Sequence, residues 1–412
     1  MRLFPDRGPW RHRDFRRMWG AMAVSAIGAR ITRTALPVIA VGALAASATE
    51  AAVIGALAWG PGALVGVFAG GWIDRRSKRA LLVGADLVRF LLVLTVPLAW
   101  WAGALSLVHV AAVAAGVGAA NVLFQITDNT YLPELVGRED LVGANSTIEA
   151  TESVAEIGGP AAAGVLIRVI GAPLAVIVDA VTYLWSAVLL LTIRPRPQTA
   201  RHETAPPTMA HDLRAGFGAL WRDHVVRRLA IAEAVSLSSL GFFLGLYMVY
   251  VLRDLDLSEA AVGAVISCGG VGALAGALLA PRLALRSTRA TLVTLSLVAH
   301  AAALLIPAAS GSAALVVIML IAHQLVGDGA RTAYEVLSVS LRQRRLPAEV
   351  LGRANGAFHA IMTTSLLFGA LGSAALAGVL STRTVLWIGL GAGLFAPLPL
   401  LTLPRADAEI AT

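Results

Sequence analysis

Two long apolar runs are joined by the segment Gly70-Gly71-Trp72-Ile73-Asp74-Arg75-Arg76-Ser77-Lys78-Arg79. It contains a glycine, an aspartate four residues later and then a cluster of basic residues. Part of it recurs, because Arg76-Ser77-Lys78-Arg79-Ala80-Leu81-Leu82-Val83 is similar to Arg286-Ser287-Thr288-Arg289-Ala290-Thr291-Leu292-Val293, 210 residues further on. The pair Ala144-Asn145 recurs as Ala354-Asn355 at the same offset. Two matches at one spacing indicate an internal duplication of the chain.

The composition indicates a protein whose main solvent is lipid. Of the 412 residues, 57% are hydrophobic and 14% are charged, and the mean hydropathy is +0.76. Soluble domains are about half apolar and about a quarter charged. The net charge of +8 lies mainly in short stretches between apolar runs. This placement indicates membrane topology and argues against nucleic-acid binding.

Twelve apolar runs are long enough to cross a bilayer as helices. They lie at 17–45, 51–73, 80–101, 106–127, 143–168, 171–193, 228–252, 259–282, 290–308, 312–333, 354–379 and 384–403. The sequence therefore predicts an all-α integral membrane protein with 12 transmembrane helices. The single cysteine, Cys268, excludes an intramolecular disulfide.

Basic residues are concentrated in alternate loops between the predicted spans. They cluster before the first span, in the loop at 75–79, in the central linker and in the loops at 282–289 and 342–345. The intervening loops contain only Arg168, Arg253 and Arg383. By the positive-inside rule, both termini lie in the cytoplasm and the number of spans is even.

The repeat divides the chain into three parts. We predict an N-terminal six-helix half at 1–193, a cytoplasmic linker at 194–224 and a C-terminal six-helix half at 225–412. Prolines keep the first part of the linker extended. Its second part, Asp212 to His224, predicts an amphipathic helix that lies along the membrane surface. Parallel halves of this kind are typical of transporters that bind their substrate near the membrane midplane between the halves.

The segment at 70–79 resembles the loop motif of the major facilitator superfamily. In that family the glycine allows close helix packing, and the aspartate helps to latch the two halves together on the cytoplasmic side. Ser77 stands where a second glycine is usual, and Ala284 stands where a second aspartate would map, so the acidic latch is one-sided. The resemblance implies gating roles for Gly70, Asp74, Arg75, Lys78 and Arg79, with Asp86 and Arg89 as a structural pair beside the motif. The positive-inside rule alone also explains the basic residues.

Further resemblances concern the type of transporter. The fifth span contains Gly158-Gly159-Pro160-Ala161-Ala162-Ala163-Gly164, which resembles the Gly-Pro motif of the superfamily's exporters, with Gly159, Pro160 and Gly164 as its key residues. A plain small-residue packing face is the alternative. The segments at 131–136, 144–146, 340–343 and 351–355 resemble a branch that includes bacterial exporters of the enterobactin and macrolide-efflux type. The resemblance implies export across a bacterial cytoplasmic membrane.

Several ionisable residues fall at membrane depth, where they are costly and usually face the bundle interior or an aqueous cavity. The candidates for proton coupling are Arg30, Arg33, Glu149, Glu152, Glu156, Asp179 and Glu233. The first and fifth spans border the cavity in the superfamily, so we expect Arg30 or Arg33 to pair with Glu152 or Glu156. A substrate that displaces the arginine lets the carboxylate take up a proton. Purely structural ion pairs are the alternative.

The sequence therefore predicts a secondary active transporter that exports a small amphipathic or hydrophobic compound, of drug or siderophore type, in exchange for protons. We expect alternating access by a monomer in the lipid bilayer, with no cofactor, no metal and no nucleic acid. The sequence contains no P-loop and no recognisable set of catalytic residues, so we do not expect an enzyme. An importer or uncoupled facilitator is the alternative. A non-transporting sensor or assembly partner is the alternative of another class, and the intramembrane charges count against it.

Overall fold

The computed structural model describes residues 8–46, 71–194, 209–257 and 259–404, with the single positions 54, 57, 65 and 69. Most of the predicted second span, Gly70 of the loop motif and the proline-rich part of the linker lie outside the described residues. Within the described residues, all regular elements are helices.

The helices are labelled here in chain order. They are α1 Arg13–Val38, α2 Lys78–Trp101, α3 Leu107–Val136, α4 Leu141–Ile170, α5 Ala172–Leu191, α6 Met209–Arg222, α7 His224–Val249, α8 Glu259–Leu283, α9 Thr288–Ala303, α10 Leu305–Ala308, α11 Ala313–Ala322, α12 Gly329–Arg345, α13 Leu351–Ala377 and α14 Thr382–Gly393. A π-helical turn, His323–Asp328, joins α11 to α12. Residues 71–75, which include Asp74, are also helical.

Among the described residues, nine helical stretches are long and apolar enough to cross a membrane. They are Lys78–Trp101, Leu107–Val136, Leu141–Ile170, Ala172–Leu191, Ala264–Leu283, Thr288–Ala308, Ala313–Arg345, Leu351–Ala377 and Thr382–Thr402. The helices α1 and α7, each of 26 residues, are not among the nine. In α1 the charges of Arg30 and Arg33 lower the hydropathy. The count of twelve spans therefore stays a prediction.

Polar residues at the helix ends explain where several spans begin. The side chains of Ser77, Ser106, Ser312 and Ser381 each accept a hydrogen bond from a backbone N–H in the first turn of α2, α3, α11 and α14, respectively. These N–H groups have no partner within the helix, so a serine at the cap stabilises the start of the span. Between α4 and α5, Gly171 has a φ of 81°, which a glycine adopts without strain.

One compact unit comprises Met1–Leu141, Val154–Ala219 and Leu346–Ala360. Its core contains a buried apolar cluster from α1, α2, α3 and α5. The helices α1 and α5 approach closely at Gly28, where an added Cβ would lie 2.1 Å from the Thr182 hydroxyl oxygen. Small residues at such positions let helix backbones come together in a membrane.

The second compact unit comprises Val142–Ser153, Leu220–Arg345 and Ile361–Thr412. Glycines again permit close helix packing: a Cβ on Gly369 of α13 would lie 1.9 Å from the Ser238 carbonyl oxygen of α7. Residues 346–360 of the predicted C-terminal half thus belong to the first unit. Residues 142–153 of the predicted N-terminal half belong to the second. The division into two six-helix halves stays a prediction.

The junction between α6 and α7 is held by Asp223. Its Oδ1 accepts hydrogen bonds from the backbone N–H groups of Val225 at 2.9 Å and Val226 at 3.0 Å. Its Oδ2 lies 2.9 Å from Nε of Arg345, at the end of α12. Burial alone would raise the pKa of the Asp223 carboxyl, but these N–H groups and the Arg345 guanidinium outweigh it and lower the pKa below its usual value.

We expect Asp223→Ala to lower the free energy of unfolding by about 1 kcal/mol at neutral pH, because α7 loses its N-cap. The pKa of Asp223 is lower in the folded than in the unfolded protein, so its contribution is present above the unfolded value of 3.8 and is lost as the pH falls through the folded value. Thermal unfolding of the purified protein from pH 7 to pH 3 checks this, with the exposed Asp254→Ala as matched control. Equal midpoints for wild type and Asp223→Ala at pH 7 would contradict it.

Candidate functional site

The loop-motif aspartate caps the first turn of α13. The Asp74 carboxylate accepts hydrogen bonds from the backbone N–H groups of Gly352 at 2.9 Å and Arg353 at 3.1 Å, and from Nε of Arg353 at 2.9 Å. Both ionised side chains are only 4% exposed. The helix α13 begins at Leu351, so these N–H groups lack partners within the helix and carry the positive end of its dipole. Burial raises the pKa of Asp74, against the lowering effect of Arg353 and the N–H of Gly352.

The basic residues of the loop motif bind other helix ends of the same unit. Nζ of Lys78 lies 2.6 Å from Oε1 of Glu134 on α3. The Arg79 guanidinium donates to the carbonyl of Ile193, just beyond the end of α5, at 2.7 Å. Arg75 is exposed. Lys78 and Arg79 therefore help to hold helices of this unit together, since cations are favourable near helix C-termini.

The pair of Asp86 and Arg89 on α2 is buried and forms the expected salt bridge. The Ser186 hydroxyl of α5 donates to Oδ2 of Asp86 at 2.6 Å, and Arg89 donates to the Asn121 amide oxygen of α3 at 2.9 Å. The Arg89 guanidinium also lies 4.3 Å from the centre of the Phe124 ring. These contacts join α2 to α3 and α5. The described partners of Asp74, Lys78 and Arg79 do not include Asp86 or Arg89. The pair therefore acts in the packing of this unit.

Two hydrogen bonds in the structure are related by the 210-residue offset of the internal repeat. The Asn145 amide at the start of α4 donates to the Ser340 hydroxyl of α12 at 2.9 Å. The Asn355 amide at the start of α13 donates to the Thr130 hydroxyl of α3 at 3.2 Å. Both the two asparagines and the two hydroxyl residues are 210 positions apart in the sequence. Each bond joins one repeat to the other, so the duplication also duplicated this contact.

The Asp74 contact has no such counterpart. The residues 210 positions away from Asp74 and Gly352 are Ala284 and Val142. Both are buried members of one apolar cluster in the second unit. A charged cap in the first unit thus corresponds to apolar packing in the second.

A second charged cluster joins α1 to α4. Oε2 of Glu156 lies 2.5 Å from Nε of Arg30, and Nη2 of Arg33 donates to both oxygens of Glu156 at 2.6 Å and 2.8 Å. Glu156 is 46% and Arg33 is 47% exposed in the described structure, whereas Arg30 is 18% exposed. Sequence reasoning expected either Glu152 or Glu156 to pair with either arginine, and the structure brings both arginines to Glu156.

The Gly159-Pro160 motif of the predicted fifth span lies on α4, directly beside this cluster. A Cβ on Gly159 would lie 2.4 Å from Cβ of Arg30, so glycine is required for the close approach of α4 to α1. Pro160 follows inside α4. A Cβ on Gly164 would have no described atom within 4 Å, so the described residues do not require a glycine at this position.

The other candidate carboxylates take different positions. Glu149 and Glu152 lie on α4 within the second unit and are partly buried. Asp179 is completely buried on α5, and Oδ1 accepts a hydrogen bond from Thr182 at 3.2 Å. Gly28 of α1 packs against this carboxylate. Asp179 therefore lies in the packed interior between α1 and α5, which is one of the two environments expected for an ionisable residue at membrane depth, and its part in proton coupling stays a prediction.

Glu233 takes part in a charged cluster of the second unit. The Arg331 guanidinium of α12 binds both oxygens of Glu233, one of them through Nη1 at 3.1 Å. Oε2 of Glu335, one turn further along α12, lies 4.0 Å from Nε of Arg331. This cluster therefore holds two carboxylates around one arginine.

Sequence reasoning missed Arg353 and Glu335 as site residues. Arg353 was part of a motif used for the resemblance, but its pairing with Asp74 joins residues 279 positions apart. The only signal in the sequence was the position of Arg353 at the predicted start of a span, where a helix offers unpaired N–H groups. Among the described residues, no group of three or more His, Cys, Asp or Glu side chains is placed to hold a metal ion.

Comparisons with known proteins agree on the fold. Residues 18–330 match the family model described as Major Facilitator Superfamily. The chain is 26% identical over 361 residues to an uncharacterized MFS-type transporter of Sinorhizobium fredii, with 85% of each protein covered.

Solved structures show the same architecture. A bacterial homologue of the iron transporter ferroportin, in its outward-facing state, has a TM-score of 0.74 at 19% identity and covers 94% of this chain and 98% of its own. The fucose:proton symporter FucP (N162A) of E. coli has a TM-score of 0.71 at 13% identity, with 94% and 97% covered. These likenesses confirm the predicted all-α membrane fold. Together with the family match, they show that the chain belongs to the Major Facilitator Superfamily and is a multi-pass membrane transporter rather than an enzyme.

Proposed function

We propose that this transporter exports a small amphipathic or hydrophobic compound, of drug or siderophore type, in exchange for protons. In this proposal the protein is a monomer in a bacterial cytoplasmic membrane, with twelve spans and both termini in the cytoplasm. The observation that carries the proposal is the cluster in which Glu156 binds both Arg30 and Arg33. The resemblance of the Gly159-Pro160 segment to exporters supports the direction of transport.

The geometry of Glu156 suits an exchange between a proton and a substrate. Arg33 contacts both oxygens of the carboxylate, and Arg30 contacts one of them. A proton on either oxygen competes with an arginine N–H for the same lone pairs. A substrate that draws Arg33 away frees an oxygen, and Glu156 then takes up a proton. The return of Arg33 after substrate release expels the proton.

The exposure of the three side chains supports this role. Arg33 and Glu156 are nearly half exposed among the described residues, and in this proposal they are the side chains that meet the proton and the substrate. Arg30 is mostly buried under Gly159 and stays in place as the fixed partner. A purely structural ion pair would need no such difference in exposure between its two arginines.

Alternating access requires contacts between the two repeats that break and re-form. The Asp74 cap of α13 and the hydrogen bonds of Asn145 and Asn355 each join one repeat to the other. We infer that the Asp74 cap is the stronger contact, because it pairs two buried charges and satisfies two helix N–H groups. The other loop-motif residues, Lys78 and Arg79, brace the helices around it.

Uptake by a symporter, or uncoupled diffusion, is the competing proposal. A fucose:proton symporter shares the fold, so the architecture alone is compatible with either direction. Counterflow in right-side-out and everted vesicles separates export from import. A proton signal without a substrate gradient, or transport without any proton movement, would support the uncoupled alternative.

We expect Glu156→Gln to abolish substrate-driven proton movement, because the amide cannot exchange a proton at this position. The measurement uses proteoliposomes with a pH-sensitive dye and a panel of lipophilic drugs and siderophores. Glu152→Gln is the matched control, since it removes the same charge one turn away on α4. Full proton-coupled transport by both variants would remove these carboxylates from the proposed mechanism.

We expect Asp74→Ala to loosen the first turn of α13. The substitution leaves the buried Arg353 guanidinium without its carboxylate, which costs about 3 kcal/mol and raises amide hydrogen exchange at Gly352 and Arg353 by about 100-fold. Asp74→Asn keeps an acceptor for the backbone N–H groups, so its effect is intermediate. Ala284→Ser, at the equivalent position of the other repeat, is the control. Unchanged exchange in Asp74→Ala would show that the cap does not hold this helix.

A further inference from the structure

A groove on the second unit lies between α7, α13 and α14, next to the end of α6. Its cavity has a volume of about 360 Å³. The side chains around it are mainly apolar, and the larger ones are Trp221, Ile231, Val235, Phe242, Ile361 and Phe368. This groove belongs to one unit alone and is separate from the Glu156 cluster, which lies in the other unit.

Among the described residues, those that line the groove offer no charged group to a ligand. The lining positions of α7 recur every three or four residues, so they form one stripe along the helix. Ser238 is one of its few polar residues, and its hydroxyl donates to the carbonyl of Ser365 on α13 at 3.1 Å. At the far end, Phe242 packs tightly against Gly389 of α14. The interior therefore suits a hydrocarbon chain, which needs no hydrogen-bond partner.

The rim of the groove is basic. Trp221, which is 48% exposed, stands at the mouth beside the exposed Arg222. The Arg227 guanidinium donates to the carbonyl of Trp221 at 3.2 Å and lies one helical turn before the lining residue Ile231. The nearby acid, Asp223, is engaged by Arg345 and by the start of α7. The mouth thus combines an aromatic side chain with positive charge.

We propose that this groove holds one acyl chain of an anionic phospholipid, whose phosphate is bound by Arg222 and Arg227. Tryptophan favours the boundary between acyl chains and headgroups, and arginines beside a membrane helix attract anionic headgroups. The amphipathic helix α6 brings both kinds of residue to the surface along which it lies. A second copy of the chain fits this site poorly, because a stable protein interface buries about 1,200 Å² or more and so needs a much broader surface.

The test compares two phospholipids with identical chains on the full-length purified protein. Native mass spectrometry measures the binding of phosphatidylglycerol and phosphatidylcholine during titration. Each arginine near an anionic headgroup strengthens binding by about fivefold, so we expect phosphatidylglycerol to bind about 25-fold more tightly. The double variant Arg222→Gln/Arg227→Gln is expected to bind both lipids equally. Arg282→Gln/Arg286→Gln, which removes two exposed arginines at the end of α8, is expected to retain the preference.

A second variant fills the groove. Ala234 and Ala392 both line it, and Ala234→Phe/Ala392→Phe is expected to abolish tight binding of either lipid. Leu278→Phe, at a side chain on α8 that is 60% exposed, is the matched control for added aromatic bulk. The arginine variants leave the residues that line the groove unchanged, so they test the proposal even if the filled variant does not fold.

Three results would overturn the proposal. Equal binding of the two lipids by the wild type would mean that the groove has no preference for an anionic headgroup and holds only the lipid that surrounds the protein. A dimer that disappears on filling the groove would identify a second copy as the occupant. Displacement of the lipid by a transported compound at one-to-one stoichiometry would make the groove a substrate site. None of these results bears on proton coupling at Glu156, so the two proposals stand or fall separately.

Discussion

Inside a bilayer every polar group must find its partner within the protein, and this constraint shapes the whole molecule. Four of the described helices begin at serine caps, and several of their charged residues occur in ion pairs with defined partners. The Asp74 carboxylate, just beyond the predicted second span, is also buried in the protein, and it satisfies two N–H groups of α13 and one buried guanidinium at once. Removing water leaves these groups no alternative partner, so each contact defines a specific packing of helices.

The duplication of the chain is visible in both the sequence and the hydrogen bonds. Asn145 and Asn355 make equivalent bonds to Ser340 and Thr130, each to the opposite repeat. The symmetry ends at Asp74, whose counterpart Ala284 is part of an apolar cluster. One repeat therefore has a contact that depends on charge and the other has a contact that depends on burial. Replacing a charged residue therefore weakens the Asp74 contact, whereas the apolar packing around Ala284 contains no such charge to lose.

The three features discussed as functional differ in their physical basis. Glu156 with its two arginines is a partly exposed ion cluster, and the proposed proton exchange is assigned to it. The Asp74 cap is a buried contact, and the proposed mechanism requires it to break when access alternates. The groove at Trp221 is an apolar cavity with a basic mouth, and it suits a component of the membrane itself. Membership of the Major Facilitator Superfamily provides the common framework of transport for all three.

The sequence by itself determined the membrane class, the internal repeat and the candidate charges, because hydropathy, arginine placement and the 210-residue offset are properties of short segments. It also narrowed the partners of Arg30 and Arg33 to two carboxylates one turn apart. Only the tertiary structure decided that Glu156 takes both arginines, that Asp179 is buried against Gly28, and that Arg353 holds Asp74. Such choices depend on distances of a few ångströms between helices far apart in the chain. Helical periodicity gives the face on which a residue lies, but it does not give the neighbouring helix or the depth at which the two side chains meet.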